Sequence, residues 1–373
     1  MDKNILIVAY TDLSRDPRPF RQIKALEGKY NIYTVGTKPS KLEKEFIKLK
    51  KNSFLMELIK LPFLLLRMYS FYYWDKYKKK ILKKTKNNNY DVIIVHEIRL
   101  VPLALKISKN AKIVLDAHEY SPSNFDDSFL WRLFMKGYYT MLCDQNLKKC
   151  NKVVTVSEGI ADLYKKNFNI ECEVITNATE FIDIKPQKCN PNKIKIIHHG
   201  NASPSRRLEL MIDMMDYLDD RFELYLMLIA SRFNTPYYNR LKNKARVNKN
   251  IHFIPPVSFE DLVPYCNQFD IGIQFHPPVN INLKFGLGNK FFEFIQSRLA
   301  IAIGPSEEMK KYVQKYELGI ISDTFDPKNI AQYLNNLSNH EINKFKNNSH
   351  QNAFSLSSER NDKKLLKVIE DLV

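Results

Sequence analysis

The sequence predicts an α/β protein of two domains, each a parallel sheet with helices on both faces. Three observations carry that reading. The chain has 373 residues, against about 100–200 for one domain, so each half can bury its own core. Short apolar runs alternate with helical patterns along the whole length, the mark of βαβ units. A polar stretch, Lys185-Pro186-Gln187-Lys188-Cys189-Asn190-Pro191-Asn192-Lys193, interrupts the alternation, which then restarts.

In the first half, strands are predicted at residues 4–10, 31–35, 91–95, 112–116 and 152–156, with a short one at 172–175. Helical patterns fill the gaps at 19–26, across 41–87, and at 101–108, 129–149 and 158–168. After the polar stretch, strands are predicted at 194–199, 222–229, 251–254, 270–275, 299–303 and 319–322. The tail from Glu341 is helical and polar. The domains are therefore 1–185 and 193–340, followed by a helical tail at 341–373. Ligands of open α/β sheets gather outside the carboxyl ends of the strands. Residues that follow strands are the ones to examine.

Composition bounds the class. The formal net charge is +17, with 23 Phe and 20 Tyr. Cys143, Cys150, Cys172, Cys189 and Cys266 form no C-x-x-C pair and no metal spacing, which suggests reduced thiols in the cytosol. Residues 1–10 read as a buried strand rather than a signal peptide. The basic charge concentrates in residues 41–90, where 14 Lys/Arg face 4 Asp/Glu. Inside this window lies the apolar run 54–74. Its charges Glu57, Lys60 and Arg67 line one helical face. With Pro62 they argue against a spanning helix, which needs about 20 mainly apolar residues. Two readings stand: a helix lying on an anionic membrane, or a helix packed on the first domain with a solvated basic end. Nucleic-acid binding lacks any helix-turn-helix, zinc-finger or RNA-binding signature.

The densest motif is Gly288-Asn289-Lys290-Phe291-Phe292-Glu293, followed by Arg298-Leu299-Ala300-Ile301-Ala302-Ile303-Gly304-Pro305. A glycine-bearing loop opens an amphipathic helix. The N–H groups of a helix start can hold a phosphate, and the cation of Lys290 adds to them. Glu293, one turn on, is placed to accept hydrogen bonds from a sugar diol. A solvated helix carboxylate and an ordinary surface lysine are the plain alternatives. The run resembles the nucleotide-sugar segment of the retaining glycosyltransferase family with the GT-B fold (family 4-like, group 1). There it reads as a loop and then E-A-M-A-A-G-x-P-V-V. A second family Glu, eight residues earlier, is here Phe285.

Three further segments extend the resemblance, from near residue 1 to about 325. In Ile196-Ile197-His198-His199-Gly200-Asn201-Ala202-Ser203-Pro204-Ser205-Arg206-Arg207 a strand runs into Gly200 and a helix with two arginines. The family's diphosphate clamp G-R…K-G matches at Gly200 and at Arg207 or Arg206, and its first Arg falls on Asn201. Two arginines at a helix start oppose its dipole, which suggests an anion there. His198 and His199 are read as structural. The dipeptides His96-Glu97 and His118-Glu119 follow strands, and neither completes H-E-x-x-H. The run from Asp116 to Pro122 resembles the family's acceptor-side D-x-H-D/E motif, which implies that His118 lies near the reacting centre. Asp12-Leu13-Ser14-Arg15-Asp16-Pro17-Arg18 replaces a glycine-rich loop, and two readings of Arg15 and Arg18 stand: contact with a phosphate or anionic acceptor, or a cap on the sheet edge.

The resemblance implies GT-B architecture: two Rossmann-like doubly wound domains facing a central cleft, with a tail that crosses back to the first. It implies a retaining transferase with His118, Arg207 and Lys290 as catalytic groups. Gly200, Arg206, Asn289 and Glu293 would bind the donor, and Arg15, Arg18, His96 and Glu119 would lie on the acceptor side. No D-x-D is present, so no metal and no cofactor are expected. P-loop, G-x-G-x-x-G and G-x-S-x-G motifs are absent too, which disfavours P-loop kinases, nicotinamide dehydrogenases and hydrolases of the serine-elbow type. The expected partners are a UDP- or GDP-linked sugar, a glycan or lipid-linked acceptor of cell-surface polysaccharide synthesis, and an anionic membrane through residues 41–90. The expected location is cytoplasmic, on the inner face of the plasma membrane. A nucleotide-sugar epimerase of the same architecture and a non-catalytic scaffold remain as rivals, the latter favoured by Phe285 and Asn201.

Overall fold

The computed structural model describes residues 3–50 and 52–373. Residues 1, 2 and 51, the last a lysine of the basic window, lie outside the described residues. The chain divides into two compact units. One comprises Met1–Thr176 with Asn280–Asn282 and Asn361–Val373, the other Asn177–Val279 with Leu283–Arg360.

The first unit holds seven strands: β1 (Asn4–Val8), β2 (Asn31–Gly36), β3 (Glu45–Lys48), β4 (Val92–His96), β5 (Lys112–Ala117), β6 (Lys152–Thr155) and β7 (Glu173–Val174). Their order is β3-β2-β1-β4-β5-β6-β7, all pairs parallel. The order reverses between β1 and β4. Ile5–Val8 and Val92–Val95 are fully buried, as continuous apolar strands are when helices cover both faces. The helices are α1 (Pro17–Leu26), α2 (Phe54–Leu65), α3 (Tyr69–Tyr73), α4 (Lys76–Thr85), α5 (Val101–Ile107), α6 (Phe129–Phe134), α7 (Lys136–Asn146) and α8 (Glu158–Phe168).

The second unit holds β8 (Ile194–Asn201), β9 (Phe222–Ile229), β10 (Ile251–Phe253), β11 (Ile271–Gln274), β12 (Ala300–Ile303) and β13 (Gly319–Ile321), in the parallel order β10-β9-β8-β11-β12-β13. Here the reversal lies between β8 and β11. Its helices are α9 (Glu209–Met214), α10 (Thr235–Ala245), α11 (Leu262–Cys266), α12 (Ile281–Phe285), α13 (Asn289–Gln296), α14 (Glu307–Lys315), α15 (Pro327–Asn335) and α16 (Asn339–Asn352). A last helix, α17 (Ser358–Glu370), passes into the first unit, where Leu365 and Ile369 join the core of Ile5, Ile23 and Val92.

The strands read from the sequence are all present, and one was missed. The sequence pattern places Glu45–Lys48 in the helical region 41–87, whereas the chain forms β3 there. Of its four residues only Ile47 is buried, too little alternation to mark an edge strand. The run 54–74 is not one helix. α2 continues through Pro62 to Leu65, and Arg67 then turns the chain in the left-handed conformation, φ 54°. The expected outward charge stripe is turned inward at Lys60, which is 7% exposed. The 129–149 pattern likewise splits into α6, α7 and a closing turn. The 185–193 stretch lies within the second unit, where Cys189 is buried in the core and its N–H donates to Asn343 Oδ1 at 3.0 Å.

Candidate functional site

β8 ends in His198-His199-Gly200-Asn201, beside the strand-order reversal where doubly wound sheets bind ligands. Gly200 has φ +116°, open to glycine alone. A Cβ there would lie 3.1 Å from Lys290 Nζ and 3.5 Å from Arg206 Nη1. The two cations therefore converge over the strand end.

Lys290 is the second residue of α13. Gly288 precedes this helix at the cap position and has no side chain to cap it. Phe291, Phe292, Phe294 and Ile295 are buried and hold α13 on the sheet. Gly272 on β11 permits the close approach, since a Cβ there would stand 2.4 Å from Phe294 Cγ. Glu293 is only 5% exposed, so it is not a solvated carboxylate. Its Oε2 lies 3.5 Å from His199 Nε2.

The electrostatics are one-sided. Burial pushes the Lys290 ammonium down to about 7, with Arg206 adding to the shift and Glu293 opposing it. Burial, and then Lys290, hold His198, His199 and His276 well below the ordinary histidine value. His198 Nδ1–H donates to the Ile273 carbonyl at 2.8 Å. The opposite nitrogen of His198, with His199 Nε2 and His276 Nδ1, is buried with no hydrogen-bond partner. Lys290 and Arg206 thus share one nearby carboxylate among a group of neutral rings.

Arg206 rather than Arg207 joins this group. Its Nη1 also donates to the Asn201 carbonyl at 3.2 Å. Arg207 sits at φ 46° with a side chain 53% exposed, 3.7 Å from Glu209. Asn289 opens α13 next to Lys290, half-buried. Phe285 closes α12, where its ring stacks under Lys284.

The first unit carries a second cluster. Asp116, near the end of β5, is fully buried. Arg18 Nε donates to both its carboxylate oxygens at 3.0 and 2.8 Å, Nη2 donates at 2.8 Å, and Gln22 Nε2 donates at 2.5 Å. Arg18 Nη1 reaches the Ile175 carbonyl at 2.8 Å. Burial alone would raise the Asp116 carboxyl, but Arg18 and the two histidines outweigh it and hold it below the usual range. His96 Nδ1 and His118 Nε2 share a hydrogen bond of 2.8 Å. Burial pushes His118 down to about 4, against the pull of Asp116, and lowers His96 in the same way. His96 is enclosed, while the His118 side chain keeps 23% of its surface. Glu119 is exposed, and its carbonyl accepts from Tyr164 Oη at 2.9 Å. Arg15 is also exposed.

The structure thus brings together Gly200, Arg206, Asn289, Lys290 and Glu293 in one unit, and Arg18, His96 and His118 in the other. Arg207, Arg15 and Glu119 stand apart from these contacts. Donor atoms of His96, Asp116 and His118 lie within 4.8 Å of one another, a spacing a metal ion can bridge. Arg18 and Gln22 already occupy both Asp116 oxygens, so a dication there would meet a guanidinium. The reading from sequence placed Asp116 in a motif without giving it a role, missed Gln22 and His276, and set His198 and His199 aside. Paired histidines at the end of an apolar strand were the available signal.

Residues 24–180 match the model of Glycosyltransferase Family 4. An O-antigen chain mannosyltransferase of Salmonella typhimurium is 25% identical over 154 residues, a match spanning 40% of this chain and 41% of that relative. Sucrose-phosphate synthase of Thermosynechococcus elongatus superposes with TM-score 0.75 at 11% identity, covering 99% of each chain. The HepE protein of Anabaena, solved with UDP and glucose, gives TM-score 0.74 at 11% identity over 99% of this chain and all of that one. The chain has the GT-B fold of these structures, and its residues 24–180 are similar to Glycosyltransferase Family 4. All but the last four residues of the stretch that matches the family model lie in the first unit. The Lys290 group lies in the second unit, outside that stretch.

Proposed function

We propose that this chain is a retaining, metal-independent glycosyltransferase. It moves a sugar from a nucleotide-diphospho-sugar to a glycan or lipid-linked acceptor in cell-surface polysaccharide synthesis. The observation that carries the reading is the convergence of Lys290 and Arg206 over Gly200 at the start of α13. As the glycosyl bond breaks, negative charge gathers on the departing diphosphate. Cations and helix N–H groups already fixed there stabilise that charge without reorganising. With these groups on the diphosphate, no metal is required. Glu293 accepts hydrogen bonds from the donor ribose. On the family resemblance we assign His118, the open end of the His96 pair, to the reacting sugar. The leaving diphosphate assists the acceptor hydroxyl on the same face.

The UDP bound to HepE favours a uridine donor, and the Salmonella relative favours a saccharide acceptor. No helix among the described residues is long and apolar enough to cross a membrane. The basic window 41–90 favours work at the cytoplasmic face of an anionic bilayer. The test is a screen of UDP-, GDP-, ADP- and CMP-sugars for thermal stabilisation, followed by transfer assays. Ligand at 100 times its dissociation constant adds about 2.7 kcal/mol to the folded state. Activity should survive EDTA, and NMR should show the donor's anomeric configuration in the product. Loss with chelator restored by Mn²⁺, or an inverted product, would refute those parts. Interconversion of free nucleotide sugars without acceptor would favour an epimerase.

A further inference from the structure

Helix α2 is built inside out. Lys60 is 7% exposed, with its ammonium donating to the Tyr72 carbonyl at 3.0 Å and lying 3.8 Å from Asp75. Glu57 accepts from Asn52 Nδ2 at 2.7 Å and Tyr72 Oη at 3.4 Å. The apolar residues point out: Phe54 is 80% exposed, Leu55 66%, Ile59 58% and Leu66 68%. α6 packs against α2 and presents Phe129, Leu130 and Leu133, each more than half exposed. An apolar surface of this extent marks an interaction site.

Behind it is a cavity of about 390 Å³ within the first unit, in the range of pockets that enclose small molecules. Met68, Tyr69, Phe71, Tyr73, Trp74 and Tyr138 contribute its aromatic and thioether wall. Met68 and Phe71 are also 40% and 63% exposed, so wall and outer apolar surface are continuous. Arg67 borders the same space. It holds φ 54° one residue past the end cap of α2, a position that suits glycine. Its guanidinium is exposed and has no ion pair among the described residues. Exposed Lys76, Lys79, Lys80, Lys83 and Lys84 follow on α4.

We propose that this cavity takes the hydrocarbon chain of the lipid phosphate that carries the acceptor, with Arg67 on the phosphate and α2, α3 and α6 resting on the bilayer. The proposal rests on the membrane-facing, lipid-linked reading above and names its ligand. An apolar outer face suits lipid tails, and the cations at its border suit an anionic headgroup. Aromatic walls joined to that face let one chain leave the bilayer without crossing water.

Trp74 lies in the cavity wall and Trp131 on α6, and the chain has only these two tryptophans. In the Trp131→Phe variant, dodecyl phosphate below its micelle concentration should change Trp74 fluorescence saturably, and inorganic phosphate should not. Met141→Glu, which sets a carboxylate in the cavity wall, should weaken the response at least about tenfold. Arg67→Ala should weaken it by about tenfold through the lost charge pair. Both variants should keep the wild-type melting temperature and still sediment with phosphatidylglycerol vesicles. Chain-brominated phosphatidylglycerol should quench Trp131 in the Trp74→Phe variant and spare Trp74 in Trp131→Phe. A silent Trp74, or an equal response in Met141→Glu, would overturn the slot even while vesicle binding persisted. Quenching of Trp74 by the brominated phospholipid would overturn the assignment to the acceptor carrier. A Trp74 response without vesicle sedimentation would leave the slot standing and remove the membrane reading.

Discussion

Arg18 in the first unit and Lys290 in the second are both cations withdrawn from water, and they differ in what balances them. Arg18 spends its donors on Asp116 and on the Ile175 carbonyl. Lys290 has Arg206 and three neutral histidines around it, with Glu293 as its one nearby counter-charge among the described residues. A buried cation with a bidentate partner is structure. Two cations over a glycine at a helix start, sharing one carboxylate, suit the anion site proposed above. In the first cluster the Arg18–Asp116 pair is completed within the protein, while His96 Nε2 and Gln22 Oε1 are buried with no hydrogen-bond partner and His118 keeps an open side. That difference separates residues that bind from residues that hold, although the sequence offers both as basic residues following a strand.

The largest expected effect tests the holding role. Arg18→Ala leaves Asp116 buried without its cation and should cost about 3–5 kcal/mol of stability. Both tryptophans belong to the first unit, so urea unfolding followed by tryptophan fluorescence reports that unit. Nucleotide-sugar affinity in the second unit should stay unchanged. A wild-type midpoint would show that Arg18 is free for the acceptor. The same signal carries a pH dependence. His96 and His118 are held below their unfolded value near 6.5. On acidification the unfolded chain gains protons that the folded unit refuses, so stability should fall from about pH 6.5 toward 4. A flat midpoint between pH 7 and 5 would contradict the burial of this pair.

Next comes the binding role. Arg206→Ala should slow turnover by about 10²–10³, the usual loss for a group that stabilises charge in the transition state. Arg207→Ala should cost only a few-fold, because its exposed side chain stands beside Glu209. The sequence ranks these neighbours the other way, with Arg207 read as catalytic and Arg206 as a donor-binding residue. Steady-state kinetics of the two variants decide it, and a larger loss in Arg207→Ala would reverse the assignment. Glu293→Ala should weaken nucleotide-sugar binding by about 1.5–3 kcal/mol, the worth of charged hydrogen bonds to a diol. Calorimetry that returned wild-type affinity would remove Glu293 from the site.

Much of this was legible because strands and their ends leave strong marks. Apolar runs gave both sheets, and the glycine loop before Phe291 gave α13 with Lys290 and Glu293. What escaped depends on contacts distant in sequence. Asp116 reads as part of a motif, yet only folding brings Arg18, 98 residues away, onto its carboxylate. His276 follows β11, and no local pattern ties it to His198 on β8. Arg298 stands where the family pattern carries glycine, keeps the left-handed φ of 60°, and is fully buried. Its Nη1 and Nη2 donate to the Gln296 and Ile182 carbonyls at 2.6 Å, a role that a surface-favouring residue type conceals. α2 escaped for the opposite reason. Its charges do share a face, and periodicity does not say which face meets water.

The smallest effect sharpens the comparison without any substitution in the first step. The free Lys290 ammonium is held near 7, well under the ordinary lysine value. Above that pH it is largely neutral, and an arriving diphosphate must draw a proton onto it. A nucleotide sugar carries no group that titrates near neutrality, so the pH dependence belongs to the protein. Affinity should therefore fall as pH rises from about 7, by at most tenfold (about 1.4 kcal/mol) per unit, until the pKa of the complex is reached. Calorimetry in two buffers of different ionisation enthalpy should show net proton uptake near pH 8. Lys290→Met should bind more weakly and lose both the slope and the uptake. The three histidines beside it are held so low that they stay neutral across this range, and Arg206 stays charged. Affinity that is level from about pH 6 to 9, or that rises with pH, would mean that Lys290 is not the cation meeting the diphosphate.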